Sequence, residues 1–267
     1  MSNNNTLILP EAKTDGAKMI ASRAAILASI SPQWLAVDRY LPMAMAEANR
    51  PELADCYGPS LVKCAFNCAV IGLMPGDAMG HAWFVPFKNK KAQGRKETQL
   101  IIGYKGYLDL AYRSGFLVSS HPEVIVDSEE FELWNDENGQ HVRHNLTPRY
   151  KGDSPQPDKS NIIGAYCVYQ TKGGGKGLAG VTRTEINKID TGRNVWLADF
   201  PAMCRKTAVL RARKDWRVTL DFERAAMLDE CERAGEPQPA LAGDIEGDGE
   251  PVLSLGDLPT VEEETAV

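Results

Sequence analysis

The sequence predicts a mixed fold of helices and short strands. Three observations predict it. In SLVKCAFNCAVIG the apolar residues Leu61, Cys64, Ala65, Cys68 and Ile71 recur on one helical face, with Gly72 placed to cap the end. Two pairs of strand-like runs, HAWFVPF with TQLIIG and NIIGAYCVYQT with GLAGVT, flank polar or glycine-rich connections. The chain has 267 residues and is 43% hydrophobic, enough for a sizeable core in one large domain or two modest ones.

Taken in order, residues 1–12 are polar and predict a flexible N-terminus. Residues 13–48 read as helical, with interruptions at SISP and at Pro42. The helix ending at Gly72 follows, then the first strand pair across the basic loop KNKKAQGRKE. A helix spans about 104–114 and ends near a glycine. Strands are expected near 117–126 and 130–134. The stretch 136–160 is polar and proline-rich, and predicts an exposed loop. The second strand pair encloses the turn KGGGK, and TRTE at 182–185 has the spacing of a capping box opening a short helix. One long helical stretch is expected from about Trp196 to Cys231. Residues 235–267 are charged and poor in apolar groups, the composition of a disordered tail. The folded part is thus placed at 13–234.

The formal net charge is −6, but it is unevenly spread. Residues 235–267 carry nine acidic groups and no Lys or Arg, so residues 1–234 hold 30 basic against 27 acidic residues, a net of about +3. No run of 18 apolar residues is present, so no membrane helix is expected. The first residues lack the pattern of a secretory signal, and the six cysteines show neither CxxC nor framework spacing. Reduced thiols and a cytoplasmic location are the expectation.

Phosphate-loop chemistry is excluded by pattern. KGGGKGLAG lacks a hydroxyl residue after its lysine and lies between two strands, while GDSPQPDKS has proline in place of the second glycine. His141 and His144 lie in the polar stretch without Cys or acidic partners at ligand spacing, and read as solvated loop histidines rather than a metal site. Asp127, Glu129 and Glu130 could hold Mg²⁺ as nuclease carboxylates do, although acidic residues at a strand end are commoner as turn formers.

The basic groups carry more. Lys105, Asp109 and Arg113 recur every four residues and fall within roughly 80° on a helix. Either they form i,i+4 ion pairs on a solvated face, or Lys105 and Arg113 face an anion and Asp109 orients them. Gly106 in the first turn costs about 1 kcal/mol relative to alanine, unless a backbone must pass close by. In WLADFPAMCRKTAVLRARKDWRVTL, Lys206, Arg213, Lys214 and Arg217 share one arc, and Arg205 projects into the apolar arc. Arg205 therefore needs a partner, a carboxylate or a phosphate. Trp196, Phe200 and Trp216 interleave with these cations, a pattern that suits single-stranded nucleic acid as well as a core.

The order IGLMPGDAMGHAWFVPF, QLIIGYKGYLDLAYRSG, WLADFPAMCRKTAVLR resembles the RecT family of phage and prophage single-strand DNA annealing proteins, over most of residues 50–230. The resemblance implies an α+β fold, a small antiparallel sheet packed with helices, related to Red beta and the Rad52 core. It implies ATP-independent binding of single-stranded DNA, annealing through a duplex intermediate, and homo-oligomeric rings or helical filaments. It further implies a phage exonuclease and a host single-strand binding protein as partners, with no cofactor, metal or catalytic residue. Family motifs match at Gln99, Lys105, Arg113, Arg205, Lys206 and Arg211, and Trp196 matches an aromatic before the second motif. Where the family usually has two lysines, this chain has Arg205 and Lys206, which keeps charge and alters contact geometry. With Gly106 and Arg213 from the residue pattern, these nine positions form the expected DNA-binding set. The rivals are a Mg²⁺-dependent nuclease and a structural oligomerising protein whose basic faces are subunit contacts.

Overall fold

In the computed structural model the described residues are 9–243, apart from 77, 138, 191, 193, 217 and 218. Three N-terminal helices, α1 (Asp15–Ser22), α2 (Ala24–Ile30) and α3 (Val37–Ala48), gather around α4 (Gly58–Val70). Thr14 caps α1 by accepting from the Ala17 amide at 3.1 Å. Pro42 does not interrupt its helix as expected; α3 runs through it. The proline removes the bond to the Asp38 carbonyl, which lies in an exposed first turn, while Tyr40, Leu41, Ala44 and Met45 bury the opposite face. α4 follows its apolar periodicity and ends at Gly72, whose φ of 69° is the left-handed cap.

β1 (Ala82–Asn89) and β2 (Arg95–Ile102) form an antiparallel hairpin, in register from Ala82↔Ile102 to Asn89↔Arg95. The expected basic loop is therefore half strand, with a tight turn at 90–94. α5 (Tyr104–Arg113) follows directly. β3 (Leu117–Val126) pairs with β6 (Ile162–Thr171), which pairs with β7 (Lys176–Thr182), giving a three-stranded antiparallel sheet. Between β3 and β6 lies a second hairpin, β4 (Phe131–Asp136) and β5 (Gly139–His144), followed by α6 (Thr147–Lys151). The expected 136–160 loop is thus half structured. Its strand β5 pairs with the adjacent β4.

The capping box is present: the Thr182 amide donates to Glu185 Oε2 at 2.9 Å, and the Glu185 amide donates to Thr182 Oγ1 at 3.3 Å, opening α7 (Arg183–Ile189). The expected long C-terminal helix is three helices, α8 (Asn194–Ala198), α9 (Phe200–Ala212) and α10 (Leu220–Ala234). Asp199 and Pro201 make the first break, Asp199 capping the Ala202 amide at 2.9 Å. Thr219 caps the last helix by accepting from the Phe222 amide. These side chains compete with the helix backbone and win at its ends.

α9 packs on the face of the three-stranded sheet and against α5, and α10 packs on β2. One core cluster runs from Ala17 to Leu228. A satellite of Ile125, Tyr166 and Leu178, with Phe131 and Val142, seats the β4–β5 hairpin. The chain is mixed α+β, small antiparallel sheets packed with helices.

The boundaries shift at both ends. Glu11 accepts from the Asn49 side chain at 2.8 Å, so the N-terminal segment is tied down before residue 13. The boundary drawn at 235 falls inside the fold. Gln238 is buried and its side chain pairs with β2 like a strand residue: Oε1 accepts from the Leu100 amide at 2.7 Å, and Nε2 donates to the Leu100 carbonyl at 2.8 Å. The Leu241 amide donates to Asn67 Oδ1 at 2.8 Å. Residues 1–8 and 244–267 of the expected flexible ends lie outside the described residues.

Candidate nucleic-acid interface

Four of the cations expected on α9 and just beyond it, Arg205, Lys206, Arg211 and Arg213, have carboxylate partners. Arg205 donates to Glu123 Oε1 at 2.8 Å. Lys206 Nζ lies 2.6 Å from Asp229 Oδ2, with both side chains buried. Arg211 donates to Glu185 Oε1 at 2.8 Å and Arg213 to Glu223 Oε2 at 3.1 Å. Lys206 is a buried polar group satisfied internally, and Arg205 is partly buried and paired with Glu123. Arg211 and Arg213 pair at the surface, where such a pair contributes about 0–1 kcal/mol and exchanges readily for another anion. The thiols take no part: burial pushes the Cys204 sulfhydryl up to about 12, and Cys64 and Cys68 higher still.

Trp196 is buried, its ring 5.7 Å from Phe200. It lines a cleft of about 160 Å³ between α9 and α10, together with Lys206, Arg211, Lys214 and Arg233. The next cleft, about 560 Å³, is lined by Lys88, Lys90 and Lys91 on the β1–β2 hairpin and by Gln99, Val195, Glu232 and Glu236. Val195 precedes Trp196 in the chain and Glu232 lines both clefts, so the two adjoin. Gln99 is buried and donates to the Glu236 carbonyl at 2.7 Å, fixing the floor to the end of α10. The pair of clefts thus collects Gln99, Trp196, Lys206 and Arg211 from the expected set. It adds Lys88, Lys90, Lys214 and Arg233, which are exposed and form no ion pair with a described residue. The hairpin lysines were visible in the sequence as a basic loop, but no local spacing links them to Lys214.

Lys105 and Arg113 are elsewhere. They lie on the outward face of α5, whose buried face presents Tyr107 to Asp229 and Phe222. Arg113 is committed within the protein: Nε lies 3.0 Å from Asp109, and Nη2 donates to the Ile71 carbonyl at the end of α4. Lys105 is exposed, its stem against Gly80. Burial pushes the His81 imidazole below its usual range, with Arg113 and Lys105 adding to the effect and Asp109 opposing it. Gly106 answers to a different approach from the one expected. A Cβ there would sit 2.4 Å from the His81 carbonyl oxygen, so the backbone that passes close is the protein's own.

Of the nuclease carboxylates, Glu129 is committed within the protein. Glu129 is buried, bound by Arg149 at 2.7 and 2.6 Å and by His144 Nε2 at 3.0 Å. His144 is on a strand and contacts Tyr166 through Nδ1, while His141 pairs with Asp136 and stacks on Trp134. Neither is the solvated loop histidine expected. Among the described residues, no group of three or more His, Cys, Asp or Glu side chains is placed to hold a metal ion. No helix among them is long and apolar enough to cross a membrane.

An α+β scaffold with adjoining clefts rimmed by uncommitted cations defines a class of candidate polyanion-binding proteins. The RecT family model matches residues 38–240. The chain is 34% identical over 213 residues to Protein RecT of Escherichia coli strain K12, covering 77% of this chain and 76% of that protein. It is 24% identical over 180 residues to the uncharacterized protein YqaK of Bacillus subtilis strain 168, covering 65% of this chain and 56% of that one. The chain belongs to the RecT family. Membership implies a recombination-related role in single-strand annealing.

Proposed function

We propose that the chain binds single-stranded DNA in the adjoining clefts and anneals complementary strands without ATP. The observation that carries this reading is the set of four exposed cations there, Lys88, Lys90, Lys214 and Arg233, that no described carboxylate pairs. They would neutralise phosphates without reading sequence. Arg211, released from Glu185, can add a further contact. The bases then stay free to meet a second strand, and no covalent step is needed. The proposal extends to homo-oligomeric rings or filaments on a Red beta/Rad52-like core, with a phage exonuclease and a host single-strand binding protein as partners.

The test is annealing of labelled complementary oligonucleotides in Mg²⁺ without nucleotide. Annealing with strand length intact supports the reading; shortened products favour the nuclease. If about four phosphates are neutralised per subunit, the log–log salt slope is roughly −3. Lys90→Ala and Lys214→Ala are each expected to make it shallower by about 0.7. Unchanged slopes in both would remove the DNA from these clefts.

A further inference from the structure

Trp196 and Trp216 are buried, and Trp83 is partly so. Two indoles stand in solvent: Trp34, 60% exposed, and Trp134, 43% exposed. Their surroundings differ in sign. Trp134 is on the β4–β5 hairpin among Glu132, Asp136 and Glu137, an acidic setting that repels a phosphate backbone. Trp34 has the Arg113 guanidinium 5.4 Å from its ring centroid. Arg113 is itself fixed by Asp109 and the Ile71 carbonyl, so the indole rests on an anchored cation. Gly72 makes room for this arrangement, since a Cβ there would lie 3.0 Å from Trp34 Nε1 and 2.6 Å from Arg113 Nη1. Two turns before Arg113 on the same face is exposed Lys105, about 12 Å along the axis.

An exposed tryptophan alone is ordinary surface. One held against a guanidinium, with an uncommitted ammonium a few nucleotides' reach away, is matched to a base and its phosphates. We infer that Trp34 and Lys105 form a second contact for single-stranded DNA, apart from the clefts: a base stacks on the indole and the backbone passes Lys105. The inference rests on the proposed single-strand binding and adds to the motif residue Lys105 an aromatic contact, Trp34, that no motif marks. Two separated contacts suit a protein that must hold a strand while a second one is offered.

The test uses the full chain, with fluorescence anisotropy of labelled oligo(dT) and of an abasic oligomer of equal length. Trp34→Ala is expected to weaken oligo(dT) binding about tenfold, the scale of one lost base–aromatic stack, and to leave abasic binding unchanged. Trp34→Phe is expected to stay within about threefold of the parent, since a smaller ring still stacks. Lys105→Ala is expected to weaken both oligomers and make the salt slope shallower by about 0.7. Equal affinity of Trp34→Ala and the parent for oligo(dT) would overturn the inference. So would equal losses on both oligomers, or a changed sedimentation profile, which would make Trp34 a contact between copies of the chain. A parent protein that binds neither oligomer would overturn the single-strand reading itself.

Discussion

Lys206 Nζ lies 2.6 Å from Asp229 Oδ2, and Tyr107 donates its hydroxyl to the same carboxylate at 2.5 Å. The lysine that looks most like a phosphate ligand in the family motif thus joins α9, α10 and α5 in the interior. Removing it leaves Asp229 charged, buried and short of a partner. Lys206→Ala is expected to cost about 3–5 kcal/mol in urea unfolding. Lys206→Met with Asp229→Asn is expected to recover most of that loss, because the amide still accepts from Tyr107. Near-parent stability of Lys206→Ala would return this residue to the DNA-contact set.

Gly106→Ala pits two effects against each other. Alanine gains about 1 kcal/mol of helix propensity. Its Cβ would lie 2.4 Å from the His81 carbonyl oxygen, a backbone atom that cannot rotate away. Overpacking of this kind costs about 1–3 kcal/mol and more where backbone must move, so a net loss of stability is expected. Gly180→Ala is the control, since nothing lies within 4 Å of its Cβ position. Thermal melts of the two variants decide the matter. A stabilised Gly106→Ala would mean the glycine is kept for a ligand instead.

Much of the fold was legible because its signals are local. The apolar stripe of α4, the Thr182–Glu185 box and both long hairpins can be read within windows of a few residues. What was hidden depends on contacts between distant residues. Glu123 meets Arg205 across 82 positions, and Gln238 meets Leu100 across 138. β5 looked like loop because QHVRH has one apolar residue, Val142, among polar ones, and gains its order from packing on Phe131 and Tyr166. The site suffered most. Charge periodicity marks cations without revealing which already have a carboxylate. Lys206 was therefore indistinguishable in sequence from Lys214 on the same arc, which has no such partner among the described residues, and for Arg205 the sequence called for a partner without saying whether it was Glu123 or a phosphate.

Glu129 links acidity to folding. Burial pushes its carboxyl up, but bonds from Arg149, the Val126 amide and His144 outweigh this and hold it below the usual range. Glu123 is likewise lowered, its burial outweighed by the Val124 amide, Arg205 and Arg149. A carboxyl lowered in the folded state stabilises the fold above its unfolded value, about 4.3, and that stability is lost as pH falls through the folded value. Stability is therefore expected to drop steeply below about pH 4.3. Glu129→Gln should be less stable at pH 7 and show a flatter acid limb, measured by urea unfolding at several pH values. An acid limb as steep as the parent's would assign the pH dependence to other groups.

The C-terminal boundary gives the last test, because two truncations a few residues apart are expected to behave oppositely. Stopping after Ala234 removes Gln238 and exposes the Leu100 amide and carbonyl that it satisfies. It also removes the Pro239 and Leu241 contacts to Asn67. With each hydrogen bond contributing about 1 kcal/mol, that chain should lose several kcal/mol. Stopping after Gly243 spares all of these and removes eight acidic residues, taking the net charge from −6 to about +2. Leu241, Ala242 and Gly243 line the same cleft as Trp34, so the last described residues lie beside the inferred second DNA contact. The eight carboxylates that follow in the sequence add negative charge, which opposes phosphate binding. The chain ending at Gly243 should therefore keep its melting temperature and bind bare oligonucleotides at least as tightly. Its annealing of strands coated with host single-strand binding protein should fall if the segment contacts that partner. Equal losses on bare and coated strands would show instead that residues 244–267 belong to the annealing machinery.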